Sequence, residues 1–218
     1  RLTSQARAVL NGGTWSVSAR SRPFDTPLTA TLREGRFQGV DLGAFASASS
    51  PRPDSLTSDA GAAGDASTLS ALNGSFTGSL RGTDPASLQA DLRMDLDRSR
   101  LNRQPLEPGT SIDATLDRGR LDAALSLALP DGSAQLAVTA QPFAEVVTYR
   151  LTEGRFENLD VGALAGLPGW QAPLSGTLEA DGRGTALADL QLTSRLQLDR
   201  SPINRGTLTA GEVQARSE

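Results

Sequence analysis

Apolar and polar residues alternate along much of this chain. Leu121, Ala123, Leu125, Leu127 and Leu129 are spaced by single residues, Pro130-Asp131-Gly132 supplies turn chemistry, and Leu136, Val138 and Ala140 alternate back. A period of two sends successive side chains to opposite faces of a strand, so this run predicts a hairpin with one buried face. The same form stands around Asn11-Gly12-Gly13, with Ala8 and Leu10 before it and Trp15, Val17 and Ala19 after. Leu88, Ala90, Leu92, Met94 and Leu96 keep the period, as do Ile112, Ala114 and Leu116. So do Leu190, Leu192, Leu196 and Leu198, with Ser194 interrupting. Two short stretches, Asp41–Ala46 and Asp160–Ala165, break the alternation. Each opens on Asp, a good helix N-cap, and predicts a turn or two of helix. Residues 47–71 are mostly Ala, Ser, Asp, Gly and Pro and predict a flexible loop.

The pattern occurs twice. Leu10–Ala46 matches Leu129–Ala165 at 14 of 37 positions, so Leu32-Arg33-Glu34-Gly35-Arg36-Phe37 returns as Leu151-Thr152-Glu153-Gly154-Arg155-Phe156. Leu72–Arg103 matches Leu174–Arg205 at 15 of 32 positions. There Arg81-Gly82-Thr83 returns as Arg183-Gly184-Thr185, and Leu96-Asp97-Arg98-Ser99 as Leu198-Asp199-Arg200-Ser201. Such self-similarity marks a repeat architecture in which units bury their apolar faces against neighbours. We divide the chain into unit one, 1–103, with 47–71 as an insertion, and unit two, 104–218, together one continuous elongated domain. A spacing of Leu, two residues, Gly, one residue and an apolar residue recurs at Leu32–Phe37, Leu116–Leu121, Leu151–Phe156 and Leu208–Val213. A glycine with positive φ at a turn or bulge is the expectation there.

Composition narrows the chemistry. Hydrophobic residues are 38% and aromatics only 4%. That predicts a thin, one-sided core. There is no Cys and no His, and every basic residue is Arg. Thiolate chemistry, the commonest general base and a Walker lysine are therefore excluded. The net charge is −4 with acids and bases interspersed, so no basic face for nucleic acid is expected. No run approaches the roughly 18 apolar residues of a transmembrane helix, and the chain starts at Arg1. We expect a piece of a longer protein whose anchor lies elsewhere.

Charged candidates read as structural. Glu34-Gly35-Arg36 and Glu153-Gly154-Arg155 are expected to be cross-strand ion pairs at turns. Asp95 and Asp97 could begin a cation site, but the second copy has Gln197 and Asp199. No catalytic, metal or cofactor residues are assigned, and no enzymatic activity is expected. The aliphatic strand faces remain, as a closed core or as an open surface for long acyl chains.

The block order resembles the periplasmic repeats of the AsmA-like superfamily, and within it the TamB-like branch. The residues that carry the resemblance are the alternating strand pair, the Gly-Arg-Phe stretch running to Asp41–Ala46 and Asp160–Ala165, the Arg-Gly-Thr turn, the Leu-rich strand, and Leu-Asp-Arg-Ser followed by Asn102-Arg103 or Asn204-Arg205. The resemblance implies a β-sheet bent into a trough with an apolar interior. It implies membership of an inner-membrane-anchored protein that spans the periplasm of a diderm bacterium and serves phospholipid traffic and outer-membrane biogenesis. The expected fold is an all-β, elongated, repetitive, curved antiparallel sheet with an apolar concave face and at most short helical turns. Lipid-groove candidates are Leu88, Leu92, Met94, Leu96, Leu125, Leu127, Leu136, Val138, Leu190, Leu192, Leu196 and Leu198. Expected partners are phospholipid acyl chains, adjacent repeats of the same protein and an outer-membrane barrel protein. The alternative is a structural or adhesive β-repeat, a stalk or passenger segment, whose leucines form a closed core.

Overall fold

The computed structural model describes residues 1–10, 13–41, 70–85, 87–101, 104–164, 172–184, 191–203 and 206–217. The first strands are β1 (Leu2–Leu10), β2 (Gly13–Arg22), β3 (Thr29–Val40), β4 (Leu72–Arg81), β5 (Gln89–Leu96), β6 (Ser99–Leu101), β7 (Gln104–Leu106) and β8 (Ser111–Asp117). The others are β9 (Arg120–Ala128), β10 (Ser133–Gln141), β11 (Val147–Asp160), β12 (Pro173–Gly184), β13 (Gln191–Leu198), β14 (Ser201–Ile203), β15 (Gly206–Leu208) and β16 (Gly211–Ser217). Twelve form one open antiparallel sheet in the order β1-β2-β3-β4-β5-β8-β9-β10-β11-β12-β13-β16. The chain is all-β, as its period-two pattern predicts. One helical turn, α1 (Val161–Leu164), follows β11 where Asp160 predicted it. The stretch after Asp41 and nearly all of the expected loop at 47–71 lie outside the described residues.

The duplication is structural. Thr14↔Gln38, Trp15↔Phe37 and Val17↔Gly35 pair β2 with β3, and Ser133↔Glu157, Ala134↔Phe156 and Leu136↔Gly154 pair β10 with β11. Gly74↔Leu96 in β4–β5 becomes Gly176↔Leu198 in β12–β13. Counted by strands, the pattern starts at β1 and again at β9, six sheet strands each time. The sheet passes from one to the other through the Arg118-Gly119 turn, where Gly119 has φ 85°.

The recurring Leu-to-Phe spacing now has a cause. Leu32 and Phe37 are an odd number of residues apart, so a regular strand would put them on opposite faces. A bulge between them, opposite Ser18 and Ala19, restores both to the same face. The second copy has the same shift at the same place, opposite Ala137 and Val138. The expected positive φ is not at Gly35 or Gly154. It falls at Gly39 (70°) and its equivalent Asn158 (49°), at a second irregularity near the end of each strand. Gly35 is glycine for a different reason: the Phe76 ring lies where a Cβ would be. Among the other copies of the spacing, Leu116–Leu121 is a hairpin turn, and its Gly119 has the expected positive φ, 85°.

One end of the sheet is packed and the other is not. Phe37, Val40, Leu96 and Leu106 form a buried cluster, with Trp15, Leu72, Phe76, Met94, Leu101 and Leu127 against it. The hairpin β6–β7 folds over that end and β14–β15 takes the same position in the second copy, near β4 and β12 respectively. The Leu-Asp-Arg-Ser motif leads into each hairpin, and its serine is buried. Ser99 Oγ accepts from the Asn73 N–H at 2.9 Å and donates to the Asn73 carbonyl at 3.0 Å. Ser201 Oγ accepts from the Ser175 N–H at 3.3 Å and donates to the Asp199 carbonyl at 3.0 Å.

Candidate functional site

Directly opposed residues of an antiparallel pair point to the same face. Following the register across the sheet therefore sorts side chains into rows. One row runs Ala19, Leu32, Gly78, Leu92, Ala114, Ala123, Val138, Leu151, Ala180, Ser194 and Ala215. The next, towards the packed end, runs Ala6, Val17, Gly35, Phe76, Met94, Ile112, Leu125, Leu136 and Gly154, and resumes at Leu178, Leu196 and Val213. A third, at the packed end, holds Trp15, Phe37, Gly74 and Leu96, then Leu127, Ala134, Phe156, Gly176 and Leu198. A fourth, at the opposite end, holds Ala30, Leu80, Ala90, Leu116, Leu121, Ala140, Tyr149, Gly182 and Leu192. None of these rows contains a charged residue.

Of the sequence candidates, Leu92, Met94, Leu96, Leu125, Leu127, Leu136, Val138, Leu192, Leu196 and Leu198 all fall on this face. Leu88 lies just before β5, in the turn whose carbonyl accepts from Arg118 N–H. Leu190 lies outside the described residues. The candidates are not equivalent. Leu96 is 7% exposed and belongs to the packed cluster, whereas Leu92 is 37% exposed and Leu80, in the open-end row, matches it. Leu80, Leu116, Leu121, Leu151, Leu178 and Tyr149 share the face and were not singled out from the sequence. Period two already aligned Leu116 and Leu121 with the candidates, whereas Leu151 and Leu178 needed the register, because the bulged stretch of β11 lies beside them. The Tyr149 hydroxyl and the Trp15 Nε1 are buried without a protein partner.

The opposite face is charged and paired. Arg93 contacts Asp95 at 3.1 Å and Asp113 at 3.5 Å, and Arg120 contacts Asp122 at 2.9 Å. Asp95 is thus held by an arginine on its own strand. Arg36 pairs with Glu34 along one strand at 2.9 Å, not across strands as expected. In the second copy Arg155 turns instead to Glu157 at 2.8 Å, because Glu157 stands where the first copy has Gln38. Hydrogen bonds from Arg120 and then Thr139 hold the Asp122 carboxyl below the usual carboxylate range. Gln89 and then Arg118 do the same for Asp117.

A cavity of about 740 Å³ opens on this polar face, between Arg120, Thr139, Arg150, Arg183, Thr193 and Arg216. Its arginines have partners: Asp122 for Arg120, Asp181 for Arg150 and Gln191 for Arg183. Asp122 and Asp181 offset two of these charges, while Arg183 is held by a neutral amide. Among the described residues, no group of three or more acidic side chains could hold a metal ion, and no helix is long and apolar enough to cross a membrane. Comparison with protein-family models, with curated proteins and with solved structures finds no match. The candidate site is the uncharged face towards the open end.

Proposed function

We propose that this chain carries aliphatic chains on its uncharged face, as a segment of a bridge that conducts phospholipid across the periplasm between the inner and outer membranes. The observation that carries the reading is the set of uncharged rows that runs across the sheet, with Leu80 and Leu92 exposed at the unpacked end. Each CH₂ that leaves water on such a face contributes about 0.8 kcal/mol, without directional preference. Selectivity for one lipid over another would be weak, and the polar head would remain outside the rows. The resemblance to AsmA-like repeats supplies the setting: an anchor in the inner membrane, further repeats on either side and a barrel protein at the outer membrane. No chemical step is assigned to the chain.

Native mass spectrometry of the purified protein, with extraction and identification of bound lipid, tests this. Co-purified phospholipid is expected, and Leu92→Asp should abolish it while circular dichroism stays unchanged. Leu96→Asp is the control, because it places a charge in the packed cluster and should unfold the protein instead. If the protein takes up no phospholipid and Leu92→Asp unfolds it as Leu96→Asp does, the face is a closed core. The structural or adhesive module would then be the reading.

A further inference from the structure

The cavity on the polar face is built around two neighbouring arginines. Register places Arg150 of β11 opposite Asp181 of β12, and Arg183 two residues along β12, opposite Thr148. Diagonal neighbours of this kind have Cβ atoms about 7–8 Å apart, within reach of long side chains. Two guanidinium forks can therefore meet over one small group. Arg150 Nε donates to Asp181, and Arg183 Nε donates to the Gln191 side-chain oxygen at 2.8 Å. An amide oxygen carries no net charge, and no ion pair among the described residues includes Arg183. Asp181 answers one of the two charges, and an anion over the pair would answer the other. Nearer the packed end the balance is reversed, because Arg93 lies between Asp95 and Asp113.

The repeat itself does not call for this arrangement. Across β3, β4, β5 and β8 the row reads Thr31, Ser79, Asp91 and Thr115. Across β11, β12, β13 and β16 the equivalent row reads Arg150, Asp181, Thr193 and Arg216. Each row holds one carboxylate, but the second has arginines where the first has threonines. In the first copy the carboxylate of Asp91 accepts from the hydroxyls of Ser79 at 3.0 Å and Thr115 at 3.4 Å.

We propose that this cavity binds a sugar phosphate, with the phosphate on the Arg150 and Arg183 guanidiniums. An arginine fork matches the paired oxygens of a phosphate and donates charge-assisted hydrogen bonds to them. The cavity, at about 740 Å³, is far larger than a bare phosphate, so the anion is carried on a body. Thr139, Thr148, Thr193, Gln141 and Gln191 line the remainder. Their hydroxyls and amides offer both donors and acceptors, which suits the hydroxyls of a sugar and not an aliphatic chain. The strands that hold these groups, β10 to β13, each have a partner on both sides. The site therefore does not depend on what stands beside β1 or β16. It lies on the face opposite the aliphatic rows and is independent of what those rows carry.

Isothermal titration calorimetry with glucose 1-phosphate tests this, with glucose and inorganic phosphate run separately. Saturable binding of glucose 1-phosphate is expected, weakening as salt is raised. Glucose should not bind, and inorganic phosphate should bind at least about tenfold more weakly. Arg183→Gln should weaken binding of glucose 1-phosphate by about tenfold or more, through loss of charge-assisted hydrogen bonds. Arg93→Gln, on the same face nearer the packed end, should leave it unchanged. A protein that folds by circular dichroism and does not bind glucose 1-phosphate would overturn the proposal. So would an Arg183→Gln variant that binds it as tightly as the unaltered protein. Inorganic phosphate bound as tightly as the ester would overturn the sugar assignment.

Discussion

At the scale of single residues, the serine of the Leu-Asp-Arg-Ser motif matters more than its charged neighbours. Ser99 both accepts from and donates to the backbone of Asn73, and so ties the start of β6 to β4. Ser99→Ala removes both bonds and leaves an N–H without its partner at a part-buried site. A loss of about 1–2 kcal/mol is expected, seen as a lower urea midpoint at constant slope. An unchanged midpoint would mean that solvent replaces the serine. Much of the site was legible at this scale, since period two alone placed Leu92, Val138 and Leu196 on one side of their strands. The difference between Leu92 and Leu96 was not legible. It depends on Leu106, a residue in a three-residue strand too short for any period to show.

At the scale of elements, the odd spacing of Leu32 and Phe37 is the informative signal. The sequence shows the spacing but not whether a turn or a bulge corrects it. Leu116–Leu121 uses a turn and Leu151–Phe156 a bulge, and the difference lies in the strands on either side. The hairpins β6–β7 and β14–β15 escaped the sequence reading because their packing partners are distant in the chain. Leu106, 4% exposed, joins β6–β7 to Phe37, Val40 and Leu96. Leu106→Ala should cost about 2–4 kcal/mol. Because strands contact mainly their neighbours, the damage should stay local. Hydrogen exchange should quicken at residues 99–106 and in β4 while β10–β12 keep their protection. Uniform loss across both copies would show instead that the sheet unfolds as one unit.

For the whole molecule, the absence of histidine and cysteine removes the side chains that titrate nearest neutral pH. The carboxyls of Asp117, Asp122 and Glu212 are held below their ordinary values, Glu212 by Gln214 first and Arg195 second. Carboxyls lowered on folding add stability above their unfolded values of about 4, and lose it as pH falls through the folded ones. Thermal melts should therefore be level from about pH 5 to pH 8 and drop below about pH 4. All three groups are exposed, so the drop should be modest and shrink in high salt. A transition near pH 6.5 would contradict this assignment.

The packed end and the open end run along opposite long sides of the same sheet. Four rows at about 7 Å per pair of residues give the uncharged face a depth of about 20 Å. One leaflet of a bilayer has a hydrocarbon depth of about 15 Å, half of the usual core. A charged head cannot settle among Phe37, Val40 and Leu106, so every guest would point its tail to that side and its head to the other. Guests side by side along the sheet would then share one orientation, as molecules do in a monolayer. The protein would hold, in cross-section, a strip of a single leaflet whose water-facing side is fixed by the fold.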